Sequence, residues 1–204
     1  MSLAIKVLVE GSTDAMVLSR IYDQNQFSFQ KAADPNKMLA EAKTILKSET
    51  YSVVGIVKDA DTSQANVLNG YRSDLELKEI KTLVDDANSN SAFFHSPSGK
   101  TLGIFIASVG GRGMIETCIL KTLLDQTGRD YAAEYVKRAP KSVRTCSEDH
   151  LDKAELFAFL ALKRKPDDRP WMALAKNLVD RSKAPWPELQ NWLETLSRLS
   201  QELK

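Results

Sequence analysis

The sequence predicts an α/β fold: a mostly parallel, Rossmann-like sheet flanked by helices, with a helical C-terminal extension. Three observations carry this expectation. Residues 4 to 9 and Tyr51 to Val57 are nearly unbroken apolar runs, rich in β-branched residues, as strands buried on both faces require. Strand, helix, strand, helix and strand then follow at a spacing that predicts right-handed crossovers between parallel strands. From Asp130 onward the chain shows only helical periodicity.

In order, residues 4 to 9 form the first strand, and Gly11 makes the turn after it. Ser12 or Thr13 caps a helix whose stripe runs Met16 or Val17, Leu18, Ile21 and Tyr22. Phe27-Ser28-Phe29 alternates as a short strand. Asn36 to Lys47 reads as a helix with Met38, Leu39, Ala42, Ile45 and Leu46 on one side, and Tyr51 to Val57 as the next strand. Thr62-Ser63 caps a helix through Val67, Leu68, Tyr71, Leu75 and Leu77, and Asp85 to Asn90 is a polar turn. Ala92-Phe93-Phe94 and Thr101 to Ala107 are strands joined by the loop Ser96 to Lys100. Val109 to Gly113, rich in glycine, reads as the most flexible stretch and leads into a helix from Met114 to Gln126.

In the last third, Thr145 and Glu148 resemble a capping box before a helix from His150 to Lys165. Another helix spans Pro170 to Asp180. Pro185-Trp186-Pro187 opens the last one, with the stripe Leu189, Trp192, Leu193, Leu196, Leu199 and Leu203. The expected organisation is residues 1–129 as the α/β domain and residues 130–204 as a helical region packed on it. That apolar last helix can pack internally or make a homodimer.

Composition narrows the function classes. The 204 residues are 43% hydrophobic and 27% charged, with a formal net charge of +1, so no global basic field advertises nucleic-acid binding. Lys137-Arg138, Lys141, Arg144 and Lys163-Arg164-Lys165 enrich the second half, either as a phosphate-facing patch or as solvated helix faces. No apolar run has the length of a membrane span, so no membrane partner is expected. Met1 to Lys6 lacks the regions of a signal peptide, and a cytoplasmic protein is expected. Cys118 and Cys146 suit reduced thiols better than a disulfide or metal motif, and His95 and His150 lack ligand-like spacing.

Chemistry concentrates where the two strongest strands end. Val9-Glu10-Gly11-Ser12-Thr13-Asp14 follows the first and Asp59-Ala60-Asp61 the second. The carboxyl ends of parallel strands are where ligands collect, so Glu10, Asp14, Asp59 and Asp61 arrive at one edge. Like charges at close range raise one another's pKa or demand a cation. All the donors are hard oxygens, which points to Mg²⁺ or Mn²⁺.

These motifs resemble the Toprim domain, shared by topoisomerases, bacterial primases, small maturation and recombination proteins and the OLD family of nucleases. Val-Glu-Gly-x-Thr-Asp looks most like the OLD-type branch and its small standalone bacterial relatives, largely of unassigned function. Gly113-Met114-Ile115-Glu116 looks like their Gly-x-(Leu/Ile)-Glu element, and Asp152-Lys153-Ala154-Glu155-Leu156 resembles their downstream lysine segment. The motifs cover roughly residues 4 to 160, with Trp192-Leu193 a weaker echo. The resemblance implies a Mg²⁺ site of Glu10, Asp14, Asp59, Asp61 and Glu116, with Glu10 as acid/base or ligand and Lys153 neutralising charge on a phosphate. It implies metal-assisted phosphodiester hydrolysis on nucleic acid. Gly-x-x-x-x-Gly-Lys-Ser/Thr does not occur, so the ATPase half of an OLD-like protein would be absent or supplied by another chain. No zinc ribbon, polymerase module or strand-passage domain accompanies the motifs, so primase or topoisomerase activity is not expected. Thr62-Ser63 after the Asp-x-Asp departs from the ribosomal RNA maturase branch.

Each residue also has a plainer role. Asp59 and Asp61 suit strand-end turns, Asp14 and Glu116 suit the first turn of a helix, and Lys153 suits a solvated helix face. Gly111, Arg112 and Gly113 can cradle a phosphate or simply connect two elements. Trp171, Trp186 and Trp192 can stack on bases or pack in the core. A non-catalytic nucleic-acid or protein-binding module that keeps the fold is the alternative to a nuclease.

Overall fold

The computed structural model describes residues 5–22, 24–48, 50–74, 81–84, 90–95, 99–140, 142, 146–147, 150–163 and 169–202. It is a three-layer α/β structure on a sheet of six strands. These are β1 (Ile5–Val9), β2 (Phe27–Lys31), β3 (Val53–Asp59), β4 (Lys81–Val84), β5 (Ser91–His95) and β6 (Thr101–Ala107), in the order β2-β1-β3-β6-β5-β4. The first four in that order run parallel, and β5 and β4 are antiparallel additions at one edge.

Alternation along the strands feeds two cores. Ile5, Val7, Val9, Val53, Val57 and Phe105 face α1 (Ser12–Ile21) and the C-terminal helices. Leu8, Val54, Ile56, Leu102, Ile104 and Ile106 face α2 (Met38–Lys47) and α3 (Gln64–Asp74). The central strands β3 and β6 are buried almost end to end, which is why their sequences read as continuous apolar runs.

The remaining helices are α4 (Ile115–Lys121), α5 (Gln126–Arg138), α6 (Leu151–Ala161), α7 (Pro170–Ala175) and α8 (Trp186–Glu202). α8 crosses β3 and β6 where Gly55 and Gly103 pair in register. A Cβ on Gly55 would come within 2.9 Å of Trp192, and one on Gly103 within 2.6 Å of Leu196. The two glycines thus form the groove that seats Trp192 and Leu196. Trp186 and Trp192 are each 2% exposed, and Trp186 Nε1 donates to Thr122 Oγ1 at 2.9 Å, so both serve the core. Trp171 is partly buried and packs against the same core.

Several elements differ from the expectation. The N-cap of α1 is Gly11, not Ser12 or Thr13, because Asp14 at the third helical position accepts the Gly11 N–H. The helix expected from Met114 to Gln126 stops at Lys121. There the Thr122 hydroxyl bonds back to the Cys118 carbonyl, and Leu123 forms a bridge with Val179. α5 then begins at Gln126, capped by Asp125, so it spans the expected boundary at residue 129. α7 ends at Ala175 rather than Asp180, since Asn177 takes φ 55° and Leu178 N–H returns to Ala173 O. β4 was not anticipated from the sequence. Leu75, Leu77, Thr145, Glu148 and Leu203, each assigned to a helix or cap, lie outside the described residues, as does most of the Asp85 to Asn90 turn.

Val109 to Gly113 is a tied turn rather than the flexible stretch its glycines imply. Val109 N–H donates to Arg112 O, Gln64 N–H to Gly111 O, and Asp61 and Gly113 exchange both backbone bonds. Positive φ at Gly110, Gly111 and Gly113 permits this path. Cys118 is buried and Cys146 exposed, both free. Among the described residues no helix is long and apolar enough to cross a membrane.

Candidate functional site

The carboxyl ends of β1 and β3 lie side by side, because Val9 pairs with Val57 in parallel register. One step further, Glu10 meets Lys58. Lys58 Nζ lies 2.8 Å from Glu10 Oε1, and Glu10 Oε2 accepts the Asp59 N–H at 2.9 Å. Both side chains are largely buried.

Asp59 leaves β3 on the opposite face from Lys58. Its Oδ1 accepts the N–H of Ile115, the first residue of α4, at 3.0 Å. Asp14 lies in the first turn of α1, 7% exposed, with its Oδ2 on Gly11 N–H at 2.7 Å. Glu116, in the first turn of α4 and 3% exposed, is 3.0 Å from Lys153 Nζ in the first turn of α6. Two strands and three helices therefore deliver Glu10, Asp14, Asp59, Glu116, Lys58 and Lys153 to one edge.

Electrostatics records how closely they gather. Burial, reinforced by Glu116 and Glu10, pushes Asp14 up to about 6. Burial and the charges of Asp14, Glu10 and Glu116 hold Asp59 well above the usual carboxylate range. Burial draws Lys153 downward, but its bond to Glu116 and the charges of Glu116, Asp14 and Asp59 outweigh this and raise it. Beneath the cluster the buried Cys118 thiol is pushed up, by burial first and then by the charge of Asp59.

The other expected residues are placed differently. Asp61 is exposed, at φ 49°, and lines a neighbouring cleft of about 460 Å³ with Thr62, Arg112, Lys121, Asp152 and Glu155. The charges felt most strongly at Asp59 are those of Asp14, Glu10 and Glu116, not that of Asp61. Arg112 and Gly113 also border the cleft, but the Gly113 N–H is engaged by Asp61 O and the Gly111 carbonyl by Gln64. Among the described residues no three His, Cys, Asp or Glu side chains form a ready-made cage for a metal ion. Lys58 is the residue that sequence reasoning passed over. Its signal was a charge at the end of an otherwise apolar strand.

Fold and site define a parallel α/β protein with a cluster of acids at the carboxyl edge of its sheet. The chain belongs to the family described as "protein of unknown function (DUF3226)", whose model matches residues 4–198. No curated protein and no solved structure matches it.

Proposed function

We propose that this is a Toprim-like protein that binds Mg²⁺ (or Mn²⁺) at its acidic edge and hydrolyses nucleic-acid phosphodiesters. One observation carries the reading. Asp59 feels the charge of Asp14 in a buried setting, and Glu10 and Glu116 add to the charge at both. The lysines make their ion pairs with the other two acids: Lys58 holds Glu10, and Lys153 holds Glu116 while its charge also reaches Asp14. Asp14 and Asp59 each spend one oxygen on a backbone N–H, leaving the other for a ligand.

Mg²⁺ commonly binds through one or two carboxylates, with waters and substrate phosphate completing its shell, so this donor pair fits without a full protein cage. The chemistry such an ion supplies is neutralisation of the phosphoryl group and acidification of a coordinated water. The protein's own contribution is positional. Ile115 N–H and Gly11 N–H orient Asp59 and Asp14. Glu10 is held by Lys58 and the Asp59 amide, which suits a fixed acceptor of a proton or hydrogen bond more than a mobile ligand. Lys153, with its side chain 46% exposed, can exchange Glu116 for a phosphate oxygen.

A second reading, a binding module without hydrolysis, draws on the same lysines. Two of the four acids are already paired within the protein. Cleavage of labelled DNA and RNA in Mg²⁺ or Mn²⁺ separates the two. Hydrolysis that disappears in Asp59→Asn and Asp14→Asn supports the enzyme. Metal binding without cleavage supports the module, and cleavage surviving in both variants removes this site from the chemistry.

A further inference from the structure

Glu116 is 3% exposed, yet its counter-charge comes from a side chain that solvent reaches. Lys153 starts in the first turn of α6, reaches across to α4, and places Nζ 3.0 Å from Glu116 Oε1. There the ammonium feels Glu116 first, then Asp14 and Asp59, and Asp14 feels it in return. Lys58, the other lysine of the site, leaves β3 on the face away from Asp59 and is taken by Glu10. Lys153 is therefore the cation whose charge meets Glu116, Asp14 and Asp59 together.

A divalent ion at this edge would answer the same charges. Carboxylate oxygens are the ligands that Mg²⁺ and Mn²⁺ favour, and a double charge answers several of them better than a single one. An ammonium 3.0 Å from Glu116 Oε1 fills the approach to that oxygen and repels a second cation.

The lysine is also built to leave. Its side chain is 46% exposed, so it keeps a route to solvent. Glu116 cannot be left alone, because a buried charge without a partner is costly, so departure needs a replacement. On the same helix Leu151, Asp152 and Glu155 line the cleft that also holds Arg112 and Lys121. A lysine released from Glu116 thus has its root at the border of that cleft.

We propose that Lys153 is a built-in substitute for the divalent ion: its ammonium holds Glu116 in the metal-free protein and gives it up when Mg²⁺ or Mn²⁺ binds. This rests on the metal reading above and adds an order to it, since metal is what frees the lysine for a phosphate in the cleft. An ion that binds only while the lysine is away has its apparent affinity lowered by the fraction of time the lysine is away.

The test is Mn²⁺ binding without substrate, read by electron paramagnetic resonance of the free ion, for the parent, Lys153→Met and Lys121→Met. Lys153→Met should bind about tenfold tighter, as expected if the lysine is paired about nine-tenths of the time. Lys121→Met removes a nearby charge that already lies 3.8 Å from Asp152, and should change affinity by less than about twofold. In the parent, brief acetylation followed by mass spectrometry should modify Lys153 faster in Mg²⁺ than in EDTA, with the exposed Lys47 and Lys137 unchanged. This second measurement needs no variant, so it decides even where Lys153→Met does not fold. Unchanged affinity in Lys153→Met, or unchanged acetylation of Lys153, overturns the proposal and leaves the metal reading intact. An equal gain in Lys121→Met also overturns it, because net charge alone would then explain the effect. Mn²⁺ binding by neither parent nor Lys153→Met sinks both readings, whereas binding by Lys153→Met alone supports the lysine as the competitor.

Discussion

The Nζ of Lys153 lies 3.0 Å from Oε1 of Glu116 and so ties the first turn of α6 to the first turn of α4. The carboxylate is 3% exposed and the lysine side chain 46%. A buried charge thus depends on a partner that solvent can reach. The lysine can leave it, but only if something else answers Glu116.

Lys153→Met should therefore destabilise the fold by about 1–3 kcal/mol, the cost of a buried acceptor without its partner. This is less than for a fully buried pair, because solvent already screens the lysine. Glu116→Gln in the same background should recover most of the loss. Urea unfolding of the two single variants and the double variant measures the coupling. A coupling near zero would make the pair incidental.

Asp14 offers a pH-dependent test. Its folded value of about 6 lies above the ordinary 3.8, so the folded protein holds this proton more tightly than the unfolded chain does. No cost exists below about pH 3.8. The cost grows as pH rises towards about 6 and is complete above that. The gap corresponds to up to about 3 kcal/mol. Asp14→Asn should thus be more stable than the parent near about pH 8, with the difference fading towards about pH 4. Thermal melts across that range check the sign, and a gain that persists at low pH would contradict it.

Metal should relieve the same repulsion. The parent's melting temperature should rise with Mg²⁺ or Mn²⁺, by the equivalent of about 2.7 kcal/mol at a hundredfold excess over Kd. The rise should vanish in Asp14→Asn/Asp59→Asn. An equal shift in parent and double variant would locate the ion elsewhere.

Gly113 is where the turn after β6 constrains the site. Its φ is 97°, and a Cβ would lie 2.6 Å from Thr117 Oγ1 and Cγ2. Gly113→Ala should cost about 2 kcal/mol or more, from both strain and overlap. It should also disturb Asp59, whose bond partner Ile115 is two residues on. Urea unfolding and metal affinity would both register it; an undisturbed variant would show that the turn has room to adjust.

Trp192 tests whether the C-terminal helix is part of the main core. It is 2% exposed and stands over Gly55 with its ring 5.7 Å from that of Phe105. Trp192→Ala should lose about 3–5 kcal/mol, with a single unfolding transition. A second, separate transition would instead make the helical region an independent unit.

The legible parts of the molecule were those with a one-dimensional signature. β1, β3 and β6 are buried on both faces, so their apolar runs stand out at any register. α8 announces itself through the 3.6-residue stripe of Leu189, Trp192, Leu193 and Leu196, all buried. β4 has only four residues, at the sheet edge, and no such signature. The break at Thr122 was hidden because the apolar positions of the run from Met114 continue past it to Leu123 and Leu124. It is a tertiary bridge from Leu123 to Val179 that ends the helix.

The site divides in the same way. Strand ends alone placed Glu10 and Asp59 at a common edge, since parallel strands share their polarity. The sequence could not show that Glu10 is held by Lys58, which depends on the register between β1 and β3. Nor could it show that Asp61, two residues beyond Asp59, is exposed on the cleft, because a left-handed residue redirects the chain there.

By itself, then, the sequence determined the α/β class, the parallel strands and the edge where acids collect. Each of these follows from local periodicity and chain direction. Only the tertiary structure decided which acids are paired with lysines, and that Asp59 accepts the N–H of Ile115 at the start of α4. Those outcomes depend on distances between segments remote in sequence, and it is packing, rather than propensity, that sets such distances.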